Sequence, residues 1–304
     1  MKKIAISIGD LNGVGVEIAL LAHDKIKHFC EPLYVVDGKM LFQASKMLGL
    51  DIPKDFNTCK VSKSFKIKPG KVSKKSGLYS FKSFKKAIDL AKKGRVGAVV
   101  TLPINKEAWS KAGIKYKGHT ELLSDMFKKE AIMMIGCQKL FSLLYTQHIP
   151  IKSVAKSVKT KKLYNFFIDI DNSLKAKKIA VLGLNPHAGD NGVIGKEEKK
   201  IKKAIKKANK TLKKELFYGP LVPDTAFSSK NIKNLRYFVA MYHDQGLIPV
   251  KTLYFKESIN VSLNLPILRV SVDHGTAFDI AYKRGNKPSL KSYINAIKYA
   301  VNHK

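Results

Sequence analysis

The sequence predicts an α/β fold built on a largely parallel sheet. Two observations carry that expectation. Short apolar runs alternate with segments of helical periodicity along the chain, and four of the eight histidines stand just beyond the end of such a run. Residues 4–8 read as a strand, followed by a glycine-rich turn and a helix over 16–28. Residues 33–36 form a second short strand that ends at Asp37-Gly38. Helical periodicity covers 81–93, and 98–102 is a buried strand stopping before Pro103. Residues 121–127 read as helical, with Thr120 placed to cap their start. Three apolar runs follow, at 140–145, 179–184 and 237–242; then come a strand at 268–272 and a closing helix at 289–301. There is no internal repeat. The Lys- and Ser-rich stretch 60–76, with one proline and one glycine, reads as a mobile loop.

The chain has 304 residues, 45% hydrophobic and 26% charged, a size for one large or two modest domains. Charged or turn residues interrupt every apolar run before it reaches the length of a membrane span. The run after Met1 meets Gly9-Asp10 too early for a signal-peptide core. Cys30, Cys59 and Cys137 form no C-x-x-C pair, which argues against a disulfide framework or a zinc ribbon. These features lead to the expectation of a soluble, cytoplasmic protein.

A formal charge of +34, from 57 Lys plus Arg against 23 Asp plus Glu, raises the question of nucleic acid. Only Arg95, Arg236, Arg269 and Arg284 are arginines, so the side chain suited to bidentate phosphate and base-edge contacts is scarce. The lysines are dispersed, and in the densest stretch, 196–214, Ile201, Ala204, Ile205, Ala208 and Leu212 recur at helical spacing. That pattern is an amphipathic helix whose lysines face water. No nucleic-acid partner and no membrane partner are expected.

The turn from Gly9 to Glu17 imitates a dinucleotide fingerprint, with Asp37 where a Rossmann fold places its ribose-binding acid. It fails because a G-x-G-x-x-G starting at Gly13 requires a small residue where Ile18 stands. A tight strand-to-helix turn, with backbone amides facing a ligand, is the better reading.

The histidines are more informative. His148, His187, His243 and His274 follow the runs 140–145, 179–184, 237–242 and 268–272. Ligands of open α/β sheets bind beyond the carboxyl ends of the strands. One such histidine is commonly a hydrogen-bonded structural group. Several at one edge suit a catalytic or divalent metal site. Gly118-His119-Thr120-Glu121 opens a helix, where free amides attract phosphate or carboxylate; Thr120 as a plain cap is the alternative. Lys251 follows His243, and Arg269 lies on the strand before His274, flanked by Leu268 and Val270. A buried-strand arginine ordinarily pairs with an anion.

Six motifs occur in order: Gly9-Asp10-Leu11-Asn12-Gly13-Val14-Gly15-Val16-Glu17; Gly118-His119-Thr120-Glu121; Asn185-Pro186-His187-Ala188-Gly189-Asp190; Gly219-Pro220 with Asp224-Thr225; Tyr242-His243-Asp244-Gln245-Gly246-Leu247-Ile248-Pro249; and Asp273-His274-Gly275-Thr276-Ala277-Phe278-Asp279-Ile280-Ala281. Together they resemble the 4-hydroxythreonine-4-phosphate dehydrogenase family of pyridoxal phosphate biosynthesis, from the first strand to the last helix.

The resemblance implies a two-domain α/β/α, isocitrate/isopropylmalate dehydrogenase-like fold with the active site in the interdomain cleft. It implies a discontinuous first domain, 1–117 plus 270–304, and a second, 118–269, carrying the metal ligands and the contacts of a homodimer with a shared active site. Carried over by position, the metal ligands are His148, His187 and His243, and the substrate contacts are His119, Thr120, Lys251, Asn260 and Arg269. The cofactor loop is His274, Gly275, Thr276, Ala277 and Asp279, and His119 and Asp224 are candidates for proton transfer. The implied activity is oxidative decarboxylation of 4-phosphohydroxy-L-threonine with NAD or NADP and one divalent ion, zinc, cobalt or magnesium. All-nitrogen ligation favours zinc or cobalt. Two departures stand out: Leu11-Asn12 replaces the family's Pro-Ala, and Tyr282-Lys283-Arg284-Gly285 stands where Gly-Lys-Gly is usual. The alternatives are a metal-dependent hydrolase or aldolase using the same histidines, or a related dehydrogenase acting on another phosphorylated hydroxy acid.

Overall fold

Residues 1–129 form β1 (Lys3–Ser7), α1 (Gly15–Ile26), β2 (Glu31–Val35), α2 (Gly38–Leu48), α3 (Lys74–Lys92), β3 (Ala98–Thr101), α4 (Lys106–Lys111) and α5 (His119–Phe127). Then follow β4 (Ile132–Cys137), β5 (Leu140–Leu144), α6 (Ile151–Ser157), α7 (Thr160–Ser173), β6 (Ile179–Leu182), α8 (Glu197–Leu212), β7 (Phe217–Leu221), α9 (Ser229–Asn234), β8 (Tyr237–Ala240) and α10 (His243–Tyr254). The chain closes with β9 (Ile259–Leu263), β10 (Arg269–Val272) and α11 (Lys291–Asn302). These elements come from a computed structural model that describes residues 1–283, 285 and 287–303; Arg284 of the 282–285 loop lies outside the described residues.

The backbone divides into two compact units: Met1–Lys129 with Ile259–Val261 and the chain from Leu265 onward, and Glu130–Ser258 with Ser262–Asn264. In the first unit β1 pairs in parallel with β2 and β3, and β10 adds to β3 with Arg269 opposite Val99 and Ser271 opposite Thr101. Ile4, Ala5, Ile6, Val99 and Val100 are fully buried, as expected of strands covered on both faces. Phe84 and Ile88 of α3, Trp109 of α4, and Leu122 and Leu123 of α5 join one core cluster. The apolar face of α5 therefore belongs with the first unit, and the division falls after Lys129 where the sequence expectation drew it after Lys117. At Gly77 any Cβ would collide with the Ala108 carbonyl, so α3 and α4 approach backbone to backbone.

The second unit carries the order β4-β5-β8-β6-β7. A tight turn at Gln138-Lys139 makes β4 and β5 antiparallel, whereas β5, β8, β6 and β7 run parallel. The carboxyl ends of the three neighbours β5, β8 and β6 thus share one edge. Leu140, Leu144, Ala180, Leu182, Phe238 and Ala240 supply its core. On α8 the buried Ile201, Ala204, Ile205 and Ala208 form one stripe and the lysines face solvent, as the spacing requires.

Two local expectations change. The helix read from 121 starts at His119, and its cap is Gly118, so Thr120 is not the capping residue. The 60–76 stretch is anchored, not loose, and α3 begins within it at Lys74. Asp37 Oδ2 accepts the amides of Val61 and Ser62, Gln43 Oε1 accepts that of Ile67, and Asn12 Oδ1 accepts that of Lys68. Among the described residues no helix is long and apolar enough to cross a membrane.

Candidate active site

Four amides of the opening turn are taken up within the protein and are not offered to a ligand. Asp10 N–H donates to Pro103 O, Gly13 N–H to Asp10 O, Val14 N–H to Thr276 O, and Asn12 N–H to Asp10 Oδ1. Gly13 is needed because the 276–278 segment lies on it: a Cβ there would stand 2.7 Å from Thr276 O. Asn12, the departure from the family pattern, is buried and clamps the neighbouring loop, its Nδ2 donating to Lys71 O at 2.7 Å while Oδ1 accepts from Lys68. Asp37 accepts from Tyr79 Oη and two loop amides, which accounts for this acid without a ribose.

Burial pushes the Asp10 carboxyl up from 3.8 to about 6, against hydrogen bonds from Asn12 and Ser76 that lower it. A raised carboxyl binds its proton more tightly in the folded state, so stability falls as pH rises from about 4 through about 6. Asp10→Asn should therefore raise stability at pH 8 by at most about 3 kcal/mol, with the gain vanishing below about pH 4. Thermal melts across pH check this; a gain that persists at pH 3 would contradict the assignment.

Arg269 sits at the start of β10 with its side chain buried in the first unit. Its Nε and Nη2 both donate to Thr101 Oγ1, at 3.1 and 2.7 Å, and Nη2 also donates to His119 Nδ1 at 2.9 Å. Strand register puts Thr101 and Arg269 on one sheet face, two positions apart across β3 and β10. Phe84 and Trp109 set the His119 ring edge-on, with centroids at 4.3 and 5.7 Å. Burial, and then the Arg269 cation, hold the imidazole well below its usual range; burial brings the guanidinium down to about 9, still protonated at neutral pH. His119 Nε2 is buried and, among the described residues, has no hydrogen-bond partner.

In the second unit His148, His243 and His187 follow β5, β8 and β6, the three neighbouring parallel strands. The rings of His148 and His243 stand together, centroids 5.4 Å apart. His187 lies on a turn in which residues 187–191 all have left-handed φ angles. Glu198, buried at the start of α8, holds the approach to that turn by accepting the amides of Leu184 and Asn185 at 3.0 and 2.8 Å. Among the described residues no three His, Cys, Asp or Glu side chains are gathered closely enough to hold an ion. The structure thus brings together two of the three expected ligands. The donor chemistry suits a metal: His243 Nδ1 donates to Asp244 Oδ1 at 2.7 Å, which leaves the lone pair on Nε2.

The other expected residues are spread over both units. Thr120 lies on the first turn of α5 beside His119. Asn260, on β9, has a buried Oδ1 without a hydrogen-bond partner among the described residues. Lys251, on α10, places its ammonium 5.1 Å from the Phe255 ring centroid. Asp224 is exposed in the turn after β7 and joins neither histidine group. Gly275 and Asp279 are exposed, and Thr276 and Ala277 half-buried. His274 Nδ1 donates to Gly275 O at 3.0 Å, leaving Nε2 buried and, among the described residues, without a partner. Sequence reasoning missed Thr101 and Glu198. A hydroxyl ending one buried strand beside an arginine-bearing run could have indicated the first, and the Glu197-Glu198 pair opening a lysine-rich helix the second.

Parallel α/β units with histidines at the carboxyl ends of adjacent strands, and a buried arginine forked onto neutral acceptors, define an α/β enzyme for small polar molecules. The family of pyridoxal phosphate biosynthetic protein PdxA matches residues 28–300, and the chain belongs to that family. It is 58% identical over 299 residues to the 4-hydroxythreonine-4-phosphate dehydrogenase of Sulfurimonas denitrificans, covering 98% of this chain and 97% of that one. It is 56% identical to the enzyme of the same name from Campylobacter fetus, covering 99% and 98%. The crystal structure of the Klebsiella pneumoniae 4-hydroxythreonine-4-phosphate dehydrogenase superposes with a TM-score of 0.84 at 30% identity, over 99% of this chain and 100% of that one.

Proposed function

We propose that this protein catalyses the oxidative decarboxylation of 4-phosphohydroxy-L-threonine to 3-amino-2-oxopropyl phosphate and carbon dioxide, with reduction of a nicotinamide cofactor, in pyridoxal phosphate biosynthesis. The observation that carries the geometry is the set of three imidazoles following three adjacent parallel strands, two of them already in ring contact. His148, His187 and His243 would hold a divalent ion, zinc or cobalt before magnesium on donor chemistry. When bound, that ion supplies Lewis acidity and the nicotinamide accepts hydride.

The protein's own groups bind and orient the substrate. Arg269 presents a guanidinium suited to phosphate or carboxylate, and Thr120 and Asn260 add uncharged polar contacts. Lys251 supplies a second cation. The 274–279 segment takes the adenosine end of NAD or NADP, its orphaned His274 Nε2 being a ready acceptor for an amino group. Asp224 would move protons with the substrate in place. A homodimer in the cytoplasm completes the reading: Ile149, Ile151, Val193, Ile194 and Ile248, exposed on the histidine-bearing segments, are apolar surface that a second copy would cover.

The test is a spectrophotometric assay of purified protein with 4-phosphohydroxy-L-threonine, NAD or NADP, and added zinc, cobalt or magnesium. Reduced nicotinamide should appear only when substrate and a divalent ion are both present. Substrate consumption without nicotinamide reduction would instead support the hydrolase or aldolase.

A further inference from the structure

The hydrogen bond between Arg269 and His119 has only one possible polarity. A guanidinium carries donors and no acceptor, so Nη2 donates and Nδ1 of His119 accepts. An imidazole that accepts at Nδ1 carries its proton at Nε2. That Nε2–H is buried, on a residue only 9% exposed, and has no acceptor among the described residues. A buried donor left unmatched destabilises the site, and that cost is removed when an acceptor arrives. The ring cannot easily turn to relieve it, because Phe84 and Trp109 meet it edge-on.

Thr101 is what aims the guanidinium. Its hydroxyl accepts from both Nε and Nη2, a fork that fixes the guanidinium plane as well as its position. With that plane fixed, Nη2 is delivered to His119 Nδ1. We propose that Thr101 is a positioning residue that, through Arg269, holds His119 in the Nε2–H tautomer, making His119 a hydrogen-bond donor to an oxygen of the substrate. This deepens the proposed function and rests on it for the identity of the substrate. It also removes His119 from proton transfer, since a base would need its lone pair at the atom that faces the substrate. Burial and the adjacent cation act in the same direction by disfavouring the imidazolium.

The test is read on substrate-free protein labelled with 15N-histidine, by long-range proton–nitrogen correlation at neutral pH. The His119 signal is assigned by its loss in His119→Asn. It should show a protonated Nε2 and an unprotonated Nδ1 in a single form. Thr101→Val keeps the shape and removes the acceptor, so it should mix the two tautomers and raise KM about 10-fold with little change in kcat. Thr101→Ser keeps the hydroxyl and should return both readouts to wild type. A protonated Nδ1 in the wild-type protein would overturn the proposal, and so would Thr101→Val with an unaltered His119 signal and a wild-type KM. The wild-type spectrum decides the tautomer even if Thr101→Val fails to fold. Because no substrate is present, it also separates this proposal from the choice of reaction.

Discussion

Arg269→Lys should lower kcat/KM for the phosphorylated substrate by about 100- to 1,000-fold while the protein remains folded. Charge is conserved in this substitution, so the loss would come from geometry. The guanidinium reaches Thr101 through two nitrogens and His119 through one of the same pair. An ammonium is a point donor on a flexible stem and cannot reproduce that fork. It would also be harder to desolvate, so a drop of a few degrees in melting temperature should accompany the kinetic loss. Steady-state kinetics and thermal melts by circular dichroism measure the two effects. Turnover close to wild type at subsaturating substrate would show that no anion is gripped there.

His243→Ala should remove bound divalent metal and lower kcat by about 1,000-fold or more, with its secondary structure unchanged. The residue opens α10 just after β8, its ring lies beside that of His148 at a 43° tilt, and its Nδ1 is tied to Asp244. Truncation leaves the remaining imidazoles of the proposed set with one donor fewer, and catalytic sites of this kind ordinarily use three protein ligands. Metal analysis of the dialysed variant beside wild type, with activity measured at increasing zinc or cobalt, reads the effect. Equal metal content in both proteins would place the ion elsewhere.

Much of this arrangement was legible in the sequence because buried parallel strands announce themselves as short apolar runs. The runs ending before His148, His187 and His243 became β5, β6 and β8, and the strand bearing Arg269 became β10. Parallel pairing does not reveal which runs are neighbours, so the adjacency of β5, β8 and β6 could be read only from the fold. The loop 60–76 misled because its composition is that of a flexible segment. Its order comes from Asp37, Gln43 and Asn12, side chains far from it in the chain. Thr101 escaped notice for the same reason: its importance lies in a contact spanning 168 positions. Asn12, at first only a deviation from a family motif, turned out to hold a loop in place.

The division of the chain carries a consequence for how the protein comes into being on the ribosome. The second unit is almost wholly one uninterrupted stretch, Glu130–Ser258, whereas the first takes its β10 and α11 from beyond it. Translation therefore delivers everything needed for most of the second unit while the first still lacks a strand. During that interval β3 is an open sheet edge on its β10 side, and the His119 ring waits for its cation. Such an edge is a hazard while it lasts. When β10 emerges, one pairing event covers that edge of β3 and seats Arg269 against Thr101 and His119. The corner formed by Arg269, Thr101 and His119 is thus finished only when most of the chain has already been made, and no nascent chain ending before Arg269 can contain it.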